Sequence, residues 1–135
     1  MNLEQVATEL GNALRAIDGL SVPQWGVQRV HPPAAVVTLP GRVEYDKTYG
    51  RGADEVPEWQ VIVLVANPTR PESRRTIAGY AAGSGPTSVK QAIEAGTYTA
   101  CDQPRVTSAE FDVVTYVDVK YLAAIFTVAI TGKGA

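Results

Sequence analysis

With 135 residues, of which 45% are apolar and 19% charged, the chain has the make-up of one folded domain and can bury roughly two thirds of the surface its unfolded form exposes. Twelve basic and fourteen acidic residues are intermixed and leave a formal charge of −2, without the basic excess of a protein that grips nucleic acid by its phosphates. The single cysteine, Cys101, excludes an intrachain disulfide or a multi-cysteine zinc site and suits a reducing compartment.

The opening MNLEQVATEL has neither a basic n-region nor a continuous apolar run, and no apolar stretch approaches the roughly 20 residues of a membrane span. A soluble, unexported protein is expected. Leu3, Val6, Ala7, Leu10, Leu14 and Ile17 recur at helical spacing, Asn2 can cap the start with Gln5 answering it, and Gly19 suits a left-handed stop, which predicts a helix over residues 3–18. Short strands are expected at 22–27 and 34–39, separated by His31-Pro32-Pro33, which cannot be regular structure. Residues 41–56 mix charges with Tyr45, Tyr49, Gly50 and Gly52. This stretch reads as too polar for the core, and as a projecting arm that a partner orders.

Residues 58–66, EWQVIVLVA, form the central strand. Trp59, Val61, Val63 and Val65 fall on one face and Ile62, Leu64 and Ala66 on the other, so both faces need cover. A second helix follows, with Thr69 as cap and Glu72 at capping-box spacing. A third begins with Pro86 in its first turn and ends at Gly96. In the last third Thr107, Ala109, Phe111 and Val113 alternate with Ser108, Glu110 and Asp112. Leu122, Ala124, Phe126, Val128 and Ile130 make a second apolar row, and 117–120 joins the two strands as an antiparallel hairpin. The order is that of a single α+β domain spanning 1–135: a mixed, mainly antiparallel sheet with a long C-terminal β-hairpin and about three helices packed on it. Two-sided apolar strands exceed what three short helices cover, and an identical neighbour is an economical source of the rest.

His31, the only histidine, precedes two prolines and has no motif partner, so it reads as a loop histidine rather than a base or metal ligand. Nothing local would depress the pKa of Cys101, which favours a structural thiol over a nucleophile. The Gly83-Ser84-Gly85-Pro86-Thr87-Ser88 run has no Walker lysine, and Gly50-Arg51-Gly52 has no third glycine, so a phosphate or dinucleotide cradle is poorly supported. The pairs Glu44 with Asp46 and Glu110 with Asp112, and the arginines Arg70, Arg74 and Arg75, read as solvated faces. No catalytic residue, cofactor or metal site is assigned.

A resemblance runs through nearly the whole chain. Pro33-Ala34-Ala35-Val36-Val37, Glu44-Tyr45-Asp46, Tyr49-Gly50-Arg51-Gly52-Ala53-Asp54 and the strand into Arg74-Arg75 resemble, in order and spacing, the tail terminator proteins of long-tailed (siphovirus-type) actinobacteriophages. So do Gly83 through Lys90, Tyr98-Thr99-Ala100-Cys101-Asp102 and Tyr121-Leu122-Ala123-Ala124-Ile125-Phe126. The resemblance implies a non-enzymatic virion subunit at the neck end of the tail, made in the host cytoplasm. It would form a ring with itself, usually a hexamer, that caps the tail tube, stops its polymerisation and joins the head. Implied partners are the tail tube protein and the head-tail connector proteins, with DNA passing through the lumen without specific binding and no membrane contact. Assembly surfaces are then expected on the 41–56 arm, with Tyr45, Tyr49 and Arg51, and on the 105–130 hairpin, where Glu110 and Asp112 lie. Alternatives are a head-tail connector or tail completion protein of the same neck region, a small cytoplasmic enzyme, or a ligand-binding α+β domain.

Overall fold

The computed structural model describes residues 1–25, 31–46 and 53–133. Three helices, α1 (Leu3–Leu14), α2 (Pro71–Tyr80) and α3 (Val89–Ala95), accompany strands β1 (Ala34–Val37), β2 (Ala53–Val65), β3 (Arg105–Tyr116) and β4 (Val119–Lys133). The strands form one sheet in the order β1-β2-β4-β3. Among the described residues all three strand pairings are antiparallel, so the expected mixed character reduces to a single parallel bridge between Ser21 and Ala34. The α+β class and the C-terminal hairpin stand as expected. Among the described residues no helix is long and apolar enough to cross a membrane.

α1 starts as its sequence dictates, with the Asn2 side chain accepting from the Gln5 amide at 3.1 Å. It stops at Leu14, four residues before the expected end. Ala16 and Ile17 then donate to carbonyls only three residues back, and Gly19 adopts φ 80°. These tight turns still deliver Ile17 and Leu20 to the core, which is why their helical spacing misled. Of the strand expected at 22–27, residues 22–25 form no strand: Ser21 bridges Ala34, but Pro23 has no amide to continue a ladder, and residues 26–27 lie outside the described residues.

β1 ends at Val37 rather than at 39. The Thr38 carbonyl turns away from the ladder to accept the indole N–H of Trp59 at 2.6 Å and that of Trp25 at 3.4 Å, and Leu39 is left in solvent. β2 begins five residues before position 58. Its first part overlaps the predicted arm, and this corrects the reading of 41–56 as one projecting segment: Val56 is fully buried, Asp54 is buried beside the Met1 amino group at 3.1 Å, and Glu44 pairs with Glu55 through both backbone bonds. A polar composition concealed the alternation of Asp54 and Val56 with half-buried Ala53 and Glu55. Pro57, which cannot donate, coincides with the register shift between Val56 and Trp59.

Two helix starts also differ from expectation. Thr69 does not cap α2; Arg70 is the N-cap with Pro71 at the first helical position, and Ser73 anchors the turn by donating to the Ala66 carbonyl at 2.8 Å. Pro86 precedes α3, whose cap is Ser88, accepting from the Gln91 amide at 3.1 Å. The Gly83–Ser88 turn is closed on itself: the Gly85 amide donates to Gln91 Oε1 and Ser88 Oγ to the Ala82 carbonyl. The Gly85 amide and the Thr87 and Ser88 hydroxyls are thereby engaged within the protein.

All three helices pack on one face of the sheet, against Ala35 and Val37 of β1, Val56, Trp59, Val61, Val63 and Val65 of β2, and Ala124, Phe126, Val128 and Ile130 of β4. The opposite face carries no helix among the described residues, yet Leu64, Tyr121 and Ala123 are buried there in a small cluster with Val36, Ile62, Val114 and Tyr116. The second apolar face of β2 is thus partly covered from within the chain, by side chains of its neighbouring strands.

Candidate assembly surface

Among the described residues six large apolar side chains stand in solvent, and they fall into two groups. Leu39 and Tyr45, 73% and 71% exposed, follow β1 and the Glu44–Glu55 bridge at one edge of the sheet. Phe111, Val113, Val117 and Val119 belong to the β3–β4 hairpin at the other edge, with exposures of 55%, 50%, 70% and 49%.

The hairpin group arises from a mismatch of lengths. β3 and β4 have 12 and 15 residues, or roughly 40 to 50 Å of strand, whereas α2 with 10 residues and α3 with 7 are each no longer than about 15 Å. α3 packs at the start of β3, where Glu94 accepts the Val106 amide at 3.0 Å, and α2 packs on β2 and β4. Lys90, 2.6 Å from Glu94, holds that carboxyl below its ordinary range. Phe111 and Val113 pair with Ala124 and Leu122 on the helix-bearing face, but neither helix shields them. They were expected to point into the core; the orientation is right and the burial is not.

The hairpin tip is formed by two residues, Val117 and Asp118, rather than the four expected, and Val119 and Lys120 already belong to β4. Both tip residues have positive φ, 49° and 62°, as a type I′ turn requires. A β-branched residue is strained there, and Val117 is also 70% exposed. Val117→Asn should therefore stabilise the isolated protein by about 1 kcal/mol, read as a higher urea midpoint. An unchanged or lower midpoint would show that the valine is not strained.

Of the residues singled out from sequence, Tyr45 is exposed, and Glu110 and Asp112 lie side by side on the helix-free face of β3, also exposed. Tyr49 and Arg51 lie outside the described residues. The structure does not bring Tyr45 together with Glu110 and Asp112: they occupy opposite edges of the sheet. Leu39, Phe111, Val113, Val117 and Val119 were missed as surface residues because each looked like strand or connection. The available signal was the length of the C-terminal strands against that of the predicted helices.

The former catalytic candidates sit elsewhere. His31 is exposed. Cys101 is half-buried, and burial, then the nearby Glu9 and Asp102, push its thiol up to about 11. Glu9 itself is engaged in structure, accepting the amides of Thr99 and Ala100 at 2.7 and 2.8 Å, while Tyr98 donates to the Ile93 carbonyl at 2.7 Å. Against a thiol at its ordinary value of 9.0, Cys101 should hold on the order of 100-fold less thiolate at pH 8 and react with iodoacetamide correspondingly slowly. Labelling at the rate of a free cysteine would contradict this. Among the described residues no group of three His, Cys, Asp or Glu could hold a metal ion. Two open grooves flank α1. One, of about 630 Å³, is lined by Glu4, Arg15 and Trp25; the other, of about 700 Å³, runs between α1 and α3 past Ile17, Pro86 and Ala92. Neither contains Cys101 or His31.

Comparison with protein-family models and with curated proteins gave no match for this chain.

Proposed function

We propose that this chain is a structural subunit of a phage tail, a terminator that forms a ring with its own copies, caps the tube and offers a docking face toward the head. The observation that carries the reading is the pair of apolar groups at opposite edges of one sheet, Leu39 and Tyr45 at one and the Phe111–Val119 hairpin end at the other. A heterologous contact needs two unlike surfaces on every subunit, and when its rotation closes it gives a ring with two different faces. One face can then match the last ring of tube protein while the other cannot, which stops growth by geometry without any chemical step. The resemblance of sequence order to tail terminators supports the same reading, and so does the modest charge of −2, which suits DNA passing through a lumen without being held.

The test is the mass of the protein in solution, alone and after addition of tail tubes. A closed oligomer of defined stoichiometry, or one formed on tube ends, is expected, together with tubes that no longer elongate. A protein that stays monomeric in both conditions and leaves tube growth unchanged would overturn the reading.

A further inference from the structure

We propose that the β3 edge docks on α2 of a second copy of this chain, with the carboxylates of Glu110 and Asp112 against the guanidinium groups of Arg70, Arg74 and Arg75. The contact rests on the reading above that the chain forms a ring with its own copies, but it pairs the hairpin end with α2 rather than with the Leu39–Tyr45 edge.

β3 is an outer strand of 12 residues, hydrogen-bonded to β4 along one side, and an edge of that length is open to another chain. Its composition disfavours the simplest partner, a second β3. In an antiparallel pairing centred on Phe111, Glu110 of one copy would face Asp112 of the other on the same side of the new sheet, and like charges directly opposite destabilise. What suits the edge is a basic surface.

The chain carries one. Arg70, Arg74 and Arg75 are all exposed at the start of α2, where Glu72 is the one acidic residue of the helix. None of the three forms an ion pair with a described residue, nor do Glu110 and Asp112; Asp112 accepts only the amide of the adjoining Val113, at 2.8 Å. The two charged stripes cannot neutralise each other within a subunit. α2 buries Ile77 and Tyr80 in the helix-bearing face, whereas Glu110 and Asp112 pair with Ile125 and Ala123 on the opposite face. A second copy can bring them together, and because the stripes are unlike, the contact runs head to tail.

The spacings also agree. Alternate residues of a strand stand about 7 Å apart, and residues four apart on a helix rise about 6 Å, so Glu110 and Asp112 match Arg70 and Arg74 one to one. Arginine's planar fork suits paired recognition of carboxylates. Phe111 and Val113, on the other side of the same strand, would supply apolar area beside the charges.

The full chain is prepared as E110K/D112K and as R70E/R74E/R75E, and self-association is read by sedimentation velocity for each alone and for an equimolar mixture. Each variant alone should associate at least about tenfold more weakly than the unchanged protein, the mixture should recover, and added salt should weaken the unchanged protein. Circular dichroism checks the fold. Should a reversed variant fail to fold, E110Q/D112N and R70Q/R74Q must still weaken association. Undiminished association of either variant alone, or weak association that the mixture fails to restore, overturns this contact and leaves the ring reading in place. An unchanged protein that is monomeric alone and on tail tubes removes both.

Discussion

Val63→Asp is expected to give no folded protein. Val63 is fully buried at the centre of β2, in register with Ala35 on one side and Ala124 on the other, both also fully buried. Helices cover that face, and the described side chains packed with Val63 in its core cluster are apolar. A carboxylate there must either remain charged without a partner or take up a proton at neutral pH, and either course costs several kcal/mol, out of a total stability on the order of 10 kcal/mol. The lost apolar packing adds to this. The control lies three residues away: Gln60 is on the exposed side of the same strand, and Gln60→Asp should shift stability by no more than about 1 kcal/mol. Soluble yield, circular dichroism and a urea titration distinguish the two substitutions. A folded Val63→Asp protein with an unchanged midpoint would mean that the two faces of β2 have been exchanged.

Phe111→Ser combined with Val113→Thr should do the reverse, sparing the fold and abolishing assembly. Both side chains lie on the helix-bearing face of β3 but keep half their surface or more in solvent, so their removal should cost the monomer no more than about 2 kcal/mol. In a ring the same side chains would be covered, and large aromatic and aliphatic anchors at the centre of a contact carry a disproportionate share of its energy, about 2 kcal/mol or more for a residue such as Phe111. The expected outcome is a urea midpoint close to that of the unchanged protein, association weakened by at least about thirtyfold, and tails of uncontrolled length or separated from heads. Normal ring formation by the double variant would exclude the hairpin end from the subunit interface.

The sequence by itself determined the periodic features. Alternation assigned Trp59, Val61, Val63 and Val65 to one face of β2 and Leu122 through Ile130 to one face of β4, and helical spacing with the Asn2 cap placed α1. These are consequences of the local chain geometry, two residues per strand repeat and 3.6 per helical turn, and need no knowledge of what lies opposite. Only the tertiary structure decided which of those faces is covered. Phe111 and Val113 carry the same pattern as a buried row, but the helices are too short to reach them, while Val56 and Asp54, in a stretch that reads as a polar arm, are enclosed because β2 continues beside β4 as far as Ala53. Tyr45 was legible as an exposed residue because an aromatic among charges stands out in composition. Val117 was not, since its exposure and its positive φ follow from where two long strands happen to run out of cover and turn. Periodicity orients a side chain through its own backbone, but burial depends on the lengths and positions of other elements, and those are set by contacts between residues far apart in the chain.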